Sequence, residues 1–212
     1  MEGEGSPKIA ITIILRIKAP TPSSRFAGAP PIRDTVIRDS FGSAMHTVRI
    51  LGLDPGLGHM GWGVIDCTGT KLTHVAHGVI VTKPAECLGL RLLALHTEVA
   101  RIIAELQPGA IAVEQAFVHK DPSAALKLGH ARAVALLAAA QAGLDIAEYA
   151  PNHIKKSVVG VGHAGKEQVQ AMVRRLLPAC GVQQADAADA LAAAIAHAAL
   201  AGTRARIMAA LQ

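Results

Sequence analysis

The sequence is poor in aromatic residues, which make up only 2% of its 212 positions, although hydrophobic residues make up 51%. Its core must therefore be packed with valine, isoleucine, leucine and alanine, and the chain is long enough for one domain built around such a core. The three cysteines lie far apart and form no CxxC pair, so neither a zinc site nor a disulfide framework is indicated. A reducing cytoplasm is the expected location.

Long apolar runs are also missing, and none approaches the roughly 20 residues that a membrane-spanning helix needs, so no membrane partner is expected. Acidic residues are scarce in one region: residues 151–175 contain five lysines and arginines but only one acidic residue, Glu167. This stretch stands out in a chain whose net charge is only +5. Such clustering suits a polyanion such as nucleic acid. A solvated basic face is the alternative.

Residues 1–47 have no sustained hydrophobic period of 2 or 3.6, and five prolines interrupt them. We interpret this segment as a poorly ordered extension that precedes one domain over residues 48–212. Acidic residues within it argue against a transit peptide. A simpler hypothesis is that translation starts at Met45, directly before the first strand, which N-terminal sequencing of natively expressed protein would test.

The hydrophobic pattern becomes regular from Val48 onward. Strands are predicted at 48–54, 62–66, 72–82, 110–114 and 145–149. Helices are predicted at 88–106, 123–142, 166–177 and 187–200. Three successive strands followed by alternating helices and strands predict an α/β fold, with a mixed five-stranded sheet flanked by helices.

Four carboxylates occupy positions where they can meet. Asp54 and Glu114 end predicted strands, and Asp186 and Asp189 lie one turn apart at the start of the last helix. Each alone has an ordinary explanation: a turn residue, a surface carboxylate, or an acid that complements the helix dipole. Together they suggest one acidic site, because strand ends converge at one edge of a twisted sheet and a helix terminus can add its side chains there.

Carboxylates gathered in this way repel one another unless cations bridge them. Hard oxygen ligands with open positions favour Mg²⁺, or Mn²⁺ in its place, over zinc. Two such ions can activate a water molecule and stabilise the leaving oxygen of a phosphodiester. Such a site would suit metal-assisted hydrolysis of a phosphodiester.

Several stretches resemble the RuvC family of junction resolvases, in order, from about Arg49 to His197. They are residues 50–65, 111–117, 123–132, 149–150, 155–162 and 184–192. The resemblance implies a ribonuclease H-like fold and a homodimeric endonuclease that acts in DNA recombination and repair. Members of that family nick two opposed strands of a Holliday junction symmetrically, beside the RuvA–RuvB branch-migration complex.

The resemblance also implies roles for individual residues. The metal-binding, catalytic carboxylates of the family match Asp54, Glu114, Asp186 and Asp189. Lys155 and Lys166 match positions that contact phosphate near the scissile bond, and Lys166 is counted among the catalytic residues. Two positions depart from the family, which usually has threonine at Met60 and often a basic residue near Gly58.

Lys155, Lys156 and Lys166 are expected to contact DNA, since a lysine can neutralise a phosphate and stabilise charge that develops in the transition state. A solvated lysine is the alternative. Phe117 follows the strand that carries Glu114, and its ring is expected to stack on an unpaired base or to wedge at the crossover. A core phenylalanine is the alternative there. Trp62 and Tyr149 are expected to be packing residues.

Three other functions fit the sequence less well than a junction nuclease. An actin-like sugar kinase or ATPase also begins with a strand carrying Asp and Gly, but this chain is too short for its two lobes. A DNA-binding module without catalysis would gain nothing from an acidic pocket facing phosphates. A relative acting on RNA or hybrids is disfavoured by the length of the ordered match. Two symmetric cuts require two sites, and the alanine- and leucine-rich helix at 123–142 is the candidate dimer interface.

Overall fold

The computed structural model describes residues 36–38, 44–115 and 121–210. Phe117 and most of the predicted extension, residues 1–35 and 39–43, lie outside the described residues. Side chains are described for residues 46–115 and 121–201. Within these residues no helix combines the length and the apolar character that crossing a membrane requires.

The first half of the sheet is an antiparallel meander of three strands. It consists of β2 (Ala44–Asp54), β3 (His59–Thr68) and β4 (Lys71–Val81). The short strand β1 (Val36–Arg38) pairs with the start of β2, with Ile37 opposite Met45. Strand β2 thus begins four residues before the predicted position 48, and this short hairpin falls inside the segment assigned to the extension.

Two parallel strands complete the sheet. These are β5 (Ala110–Glu114), which pairs with β2, and β6 (Asp145–Tyr149), which pairs with β5. The resulting order, β4-β3-β2-β5-β6, confirms the predicted mixed five-stranded sheet. Because β2 and β5 run in the same direction, their carboxyl ends meet at one edge, which we call the carboxylate edge.

Helices cover both faces of the sheet. They are α1 (Leu88–Leu106), α2 (Pro122–Gln141), α3 (Pro151–Val159), α4 (Lys166–Leu176) and α5 (Ala185–Ala210). Helices α1 and α2 pack on one face, where Leu95 and Ala135 are fully buried. Helices α3, α4 and α5 pack on the other, around Leu191 and Val173. Helix α3 was not predicted, and α5 is longer than predicted at both ends.

Glycines bring α5 into direct contact with the sheet. A Cβ atom at Gly61 would lie 1.9 Å from the main-chain oxygen of Asp186, and one at Gly52 would lie 2.0 Å from that of Ala190. Since these contacts are with backbone, no side-chain movement could relieve them. The lack of a side chain at Gly52 on β2 and at Gly61 on β3 therefore allows the first turns of α5 to lie this close to the carboxylate edge.

Candidate active site

Two of the predicted carboxylates end neighbouring parallel strands. Asp54 is the last residue of β2, and Glu114 is the last residue of β5. The register aligns Leu53 with Val113, so the two acids follow at the same level of the sheet. Residues 49–53 of β2 and 110–113 of β5 are buried, and the two carboxyl groups emerge together where the hydrophobic core ends.

Helix α5 supplies the other two carboxylates from its first turns. Asp186 and Asp189 are spaced by three residues, which places them on one side of the helix. Both are partly buried. One oxygen each of Asp54, Asp186 and Asp189 lies within 4.8 Å of the others. We call these three residues the acidic cluster.

Glu114 lies beside the acidic cluster but is not one of the residues that meet the 4.8 Å distance. Glu114 and Asp189 line the same cavity, of about 230 Å³, together with Lys155 and Lys166. The negative charge of Asp189 also contributes to raising the pKa of Glu114. The structure thus brings all four predicted acids to one edge of the sheet. Three of them form a close group, and Glu114 lies next to this group on the side of Asp189.

Burial and the neighbouring carboxylates make ionisation of Asp54 and Glu114 costly. Burial, followed by the charges of Glu114, Asp189 and Asp186, raises the pKa of Asp54 from 3.8 to about 8. Burial, followed by the charge of Asp189, raises the pKa of Glu114 from 4.5 to about 7. Sites that need cations show this pattern, because carboxylates assembled at such cost are stabilised when a positive charge binds between them.

The donor set fits a divalent cation. All candidate donors are carboxylate oxygens, which Mg²⁺ and Mn²⁺ prefer, and no histidine or cysteine of the described residues joins the group. The acids are only partly buried, so solvent or substrate oxygens can reach the same centre. The acidic cluster and Glu114 are therefore suitable ligands for a divalent metal.

Lysines face the acids from the neighbouring helices. Lys166, the first residue of α4, places its Nζ atom 2.9 Å from Oδ2 of Asp189. The hydrogen bond to Asp189 is the main reason why the pKa of Lys166 is raised. Lys155, on α3, lines the cavity, whereas the exposed Lys156 is not among its lining residues.

The sequence of the chain matches the family model described as Crossover junction endodeoxyribonuclease RuvC over residues 50–197, more than half of its length. The chain belongs to the RuvC family. The match includes all four acids and both cavity lysines, and it confirms the predicted family and enzyme class, an endonuclease that acts on DNA. This family match argues against the sugar kinase and the RNA-directed alternatives.

Curated RuvC relatives are similar over most of their own length. A RuvC endonuclease of Cereibacter sphaeroides is 57% identical over 151 residues, covering 71% of this chain and 89% of that relative. One from Parvibaculum lavamentivorans is 55% identical over 165 residues, covering 78% and 94%.

Solved structures agree with this assignment. Thermus thermophilus RuvC is 34% identical with a TM-score of 0.68, covering 74% of this chain and 96% of that one. The same protein in complex with a Holliday junction substrate is 35% identical, with the same TM-score and coverage. The yeast mitochondrial Holliday junction resolvase Ydc2, at 11% identity and a TM-score of 0.53, is similar in fold alone.

The two departures from the RuvC pattern have different structural consequences. Met60 is fully buried among core residues on the α1 and α2 face, so its side chain takes no part in the acidic site. Gly58 leaves a partly exposed position open in the turn after Asp54. The nearest side-chain atom to a Cβ built there is Nη2 of Arg91, at 3.9 Å.

Arg91 and Thr82 were not singled out from the sequence. The Thr82 hydroxyl donates to the main-chain oxygen of Leu57, at 2.6 Å, and accepts from Nε of Arg91, at 2.9 Å. Isolated arginine and threonine residues carry no sequence signal for this arrangement, which depends on α1 lying beside the turn that follows β2.

Trp62 and Tyr149, both expected to be packing residues, differ in how deeply they are buried. Trp62 is 6% exposed and packs in the core, as predicted. Tyr149 is only partly buried, and its hydroxyl lies 2.9 Å from Nδ1 of His197 on α5. Since Tyr149 pairs with Glu114 across β5 and β6, this bond ties α5 to the sheet one residue from the site.

Proposed function

We propose that this chain resolves Holliday junctions in recombination and repair by nicking two opposed strands symmetrically. The observation that carries the proposal is the convergence of four carboxylates and a protonated lysine at the carboxylate edge. RuvC membership and the similarity to Thermus thermophilus RuvC, solved with a Holliday junction substrate, support four-way DNA as the substrate.

The proposed cofactor is Mg²⁺, for which Mn²⁺ can substitute, with two ions at each active site. The two-ion count is supported by the overlap between donor groups: Asp189 belongs to the acidic cluster and also shares a cavity with Glu114. When bound, such ions supply acidity to a water molecule and stabilise charge on the leaving oxygen of the phosphodiester.

Lys166 is proposed to act as a fixed positive charge. Its raised pKa keeps the ammonium group protonated near neutral pH, so it is unsuited to be a general base. The hydrogen bond to Asp189 holds the ammonium group beside the acids, where it can stabilise charge developing on the phosphate. Lys155, in the same cavity, is proposed to contact the phosphate near the scissile bond.

DNA contacts are proposed to extend beyond this cavity. The exposed Lys156 belongs to the same basic stretch and would contact the backbone farther from the reacting phosphate. Phe117 follows the β5 strand that carries Glu114, and stacking of its ring on an unpaired base remains a prediction.

The active molecule is proposed to be a homodimer that pairs through α2. The outward side of this helix carries Leu126, 67% exposed, and Leu137, 52% exposed, with the exposed Ala133 between them. A two-fold axis beside this apolar side would bring two copies of the same surface together and provide two active sites for two cuts. The dimer is proposed to act beside RuvA–RuvB in the cytoplasm.

The deciding experiment uses an end-labelled synthetic four-way junction with Mg²⁺ and compares the chain with its Asp54→Asn variant. Paired symmetric nicks by the chain, with binding but no nicks by the variant, are expected. Binding without cutting by both proteins, in Mg²⁺ and in Mn²⁺, would contradict the proposal and leave a junction-binding module.

A further inference from the structure

The turn that follows Asp54 is held by hydrogen bonds from Thr82, the residue directly after β4. The Thr82 main-chain nitrogen donates to the main-chain oxygen of Gly58, at 3.0 Å, while its hydroxyl donates to that of Leu57, at 2.6 Å. Arg91 joins this arrangement from α1, because its Nε atom donates to the Thr82 hydroxyl at 2.9 Å. One edge of the Arg91 guanidinium is thereby fixed in position.

The other edge of the guanidinium is available. No Asp or Glu side chain of the described residues forms an ion pair with Arg91. Its Nη2 atom lies over Gly58, where no other side-chain atom of the described residues comes within 4 Å of a Cβ position. The guanidinium is thus held by one neutral partner, the Thr82 hydroxyl, and no carboxylate of the described residues occupies its Nη donors, an arrangement that suits a phosphate oxygen.

Arg91 also lies on the side of the sheet that lacks the predicted DNA-binding lysines. Lys155 and Lys166 come from α3 and α4, which pack on the same face as α5, whereas Arg91 comes from α1 on the opposite face. A strand whose reacting phosphate sits at Asp54 must continue past the turn that Arg91 borders. Cations on both faces would hold that strand across the carboxylate edge.

We propose that Arg91 binds a backbone phosphate of the DNA strand at the carboxylate edge, opposite Lys155 and Lys166. The assignment rests on the proposed function in taking DNA as the substrate, but it concerns binding alone. Contacts with phosphate fix the register of a strand and carry a salt-dependent share of the affinity.

The test measures four-way junction affinity in a metal chelator over a series of salt concentrations. Arg91→Gln is expected to weaken binding severalfold and to reduce the slope of log affinity against log salt by about 1, as expected for one lost phosphate contact. Arg91→Lys should keep most of the slope, because it keeps the charge. Lys71→Gln is the matched control. Lys71 begins β4 opposite Thr68, so its charge lies about 23 Å along the sheet from the level of Asp54 and Gly61, at roughly 3.3 Å per residue.

A structural role would give a different result. If Arg91 only holds the turn, Thr82→Val and Arg91→Gln would weaken binding alike while keeping the wild-type slope, and the assignment would be wrong. Failure of the proposed function would be seen separately. If the wild-type chain never cuts the junction but the Arg91→Gln change still reduces the salt slope of binding, the phosphate contact stands and the nuclease function is wrong. If the wild-type chain cuts and the slope is unchanged in Arg91→Gln, the nuclease function stands and the phosphate contact is wrong.

Discussion

Lys166 reaches the acidic cluster from the start of α4, and its ammonium group serves two purposes there. It offsets part of the repulsion around Asp54 and Asp189, and the hydrogen bond that Asp189 accepts raises its pKa further above neutral pH. Since the side chain is 58% exposed, its ion pair with Asp189 adds little to the free energy of unfolding. Its value therefore lies in placing a positive charge where the substrate phosphate would bind.

Replacement of Lys166 by methionine is accordingly expected to slow cutting far more than it weakens binding. We expect the single-turnover rate at saturating junction to fall by about 100-fold, the size typical for a lost electrostatic group at a reacting centre. Lys156→Gln, which removes an exposed charge outside the cavity, should weaken affinity and leave that rate unchanged. An undiminished rate in Lys166→Met would refute the catalytic role.

The raised pKa of Asp54 predicts how stability depends on pH in the absence of metal. The unfolded chain loses the Asp54 proton near pH 3.8, whereas the folded chain keeps it up to about pH 8. Between these values the unfolded state binds fewer protons, so rising pH favours unfolding, and the full penalty is present above pH 8. Below pH 3.8 both states are protonated and Asp54 contributes no penalty.

The wild-type chain in chelator should therefore lose stability between pH 5 and pH 9, by an amount on the order of a few kcal/mol at about 1.4 kcal/mol per pKa unit. Asp54→Asn should show a smaller loss over the same range, and Mg²⁺ should restore the wild-type chain at pH 8. Urea unfolding at several pH values provides the measurement. Equal pH slopes for the two proteins would show that Asp54 ionises normally.

At the scale of elements, the contact between α5 and the glycines of β2 and β3 positions two of the four acids. Gly61→Ala would force its new methyl group against the main-chain oxygen of Asp186. We expect a loss of at least about 2 kcal/mol in unfolding free energy, since overpacking against backbone cannot be relieved locally. We also expect weaker Mg²⁺ binding, because Asp186 must move with its helix.

Gly89→Ala is the matched control for that prediction. No heavy atom lies within 4 Å of a Cβ built at Gly89 on α1, so Gly89→Ala should leave the unfolding free energy unchanged or raise it by up to about 1 kcal/mol, because alanine is the better helix former. Chemical unfolding gives the first quantity, and calorimetric titration with Mg²⁺ gives the second. Unaltered metal affinity in a folded Gly61→Ala protein would mean that the α5 contact does not set the position of Asp186.

Most elements were predictable because their patterns are local. The buried runs that end at Asp54 and Glu114, and the helical spacing of Leu95, Val99 and Ile102, mark their elements clearly. Helix α3 was missed since it spans only nine residues and buries only Ile154 and Val158. Pro151 at its start and the four-residue spacing of this pair were the available signals.

The acids of the site were predictable for a related reason, whereas their distances were not. Strand direction predicts that Asp54 and Glu114 meet at one edge, and the spacing of Asp186 and Asp189 predicts that they share one side of the last helix. The separation of Glu114 from the group of three depends on how far α5 approaches the sheet. The link from Arg91 through Thr82 to Leu57 joins three elements distant in sequence, so no periodicity could reveal it.

At the scale of the whole molecule, the two faces of the sheet present different surfaces. The face with α3 and α4 carries the basic stretch and adjoins the acids, which suits it to DNA. The face with α1 and α2 leaves leucines exposed on α2, although α2 is packed inward through residues such as Ala131 and Ala138. A junction with two-fold symmetry would meet two copies of the DNA-binding face if the chains paired through α2.

Pairing through α2 predicts that the chain sediments as a dimer near neutral pH and that Leu137→Glu sediments as a monomer. A buried carboxylate at an apolar interface has no partner to compensate its lost hydration, so the dimer should dissociate. Leu176→Glu places the same charge on α4, on the opposite face of the sheet, and should leave the dimer intact.

The Leu137→Glu monomer should also replace paired nicks with single nicks, because each molecule then holds one active site. A wild-type chain that sediments as a monomer at every concentration would rule out this assembly, and a dimeric Leu137→Glu protein would move the interface away from α2.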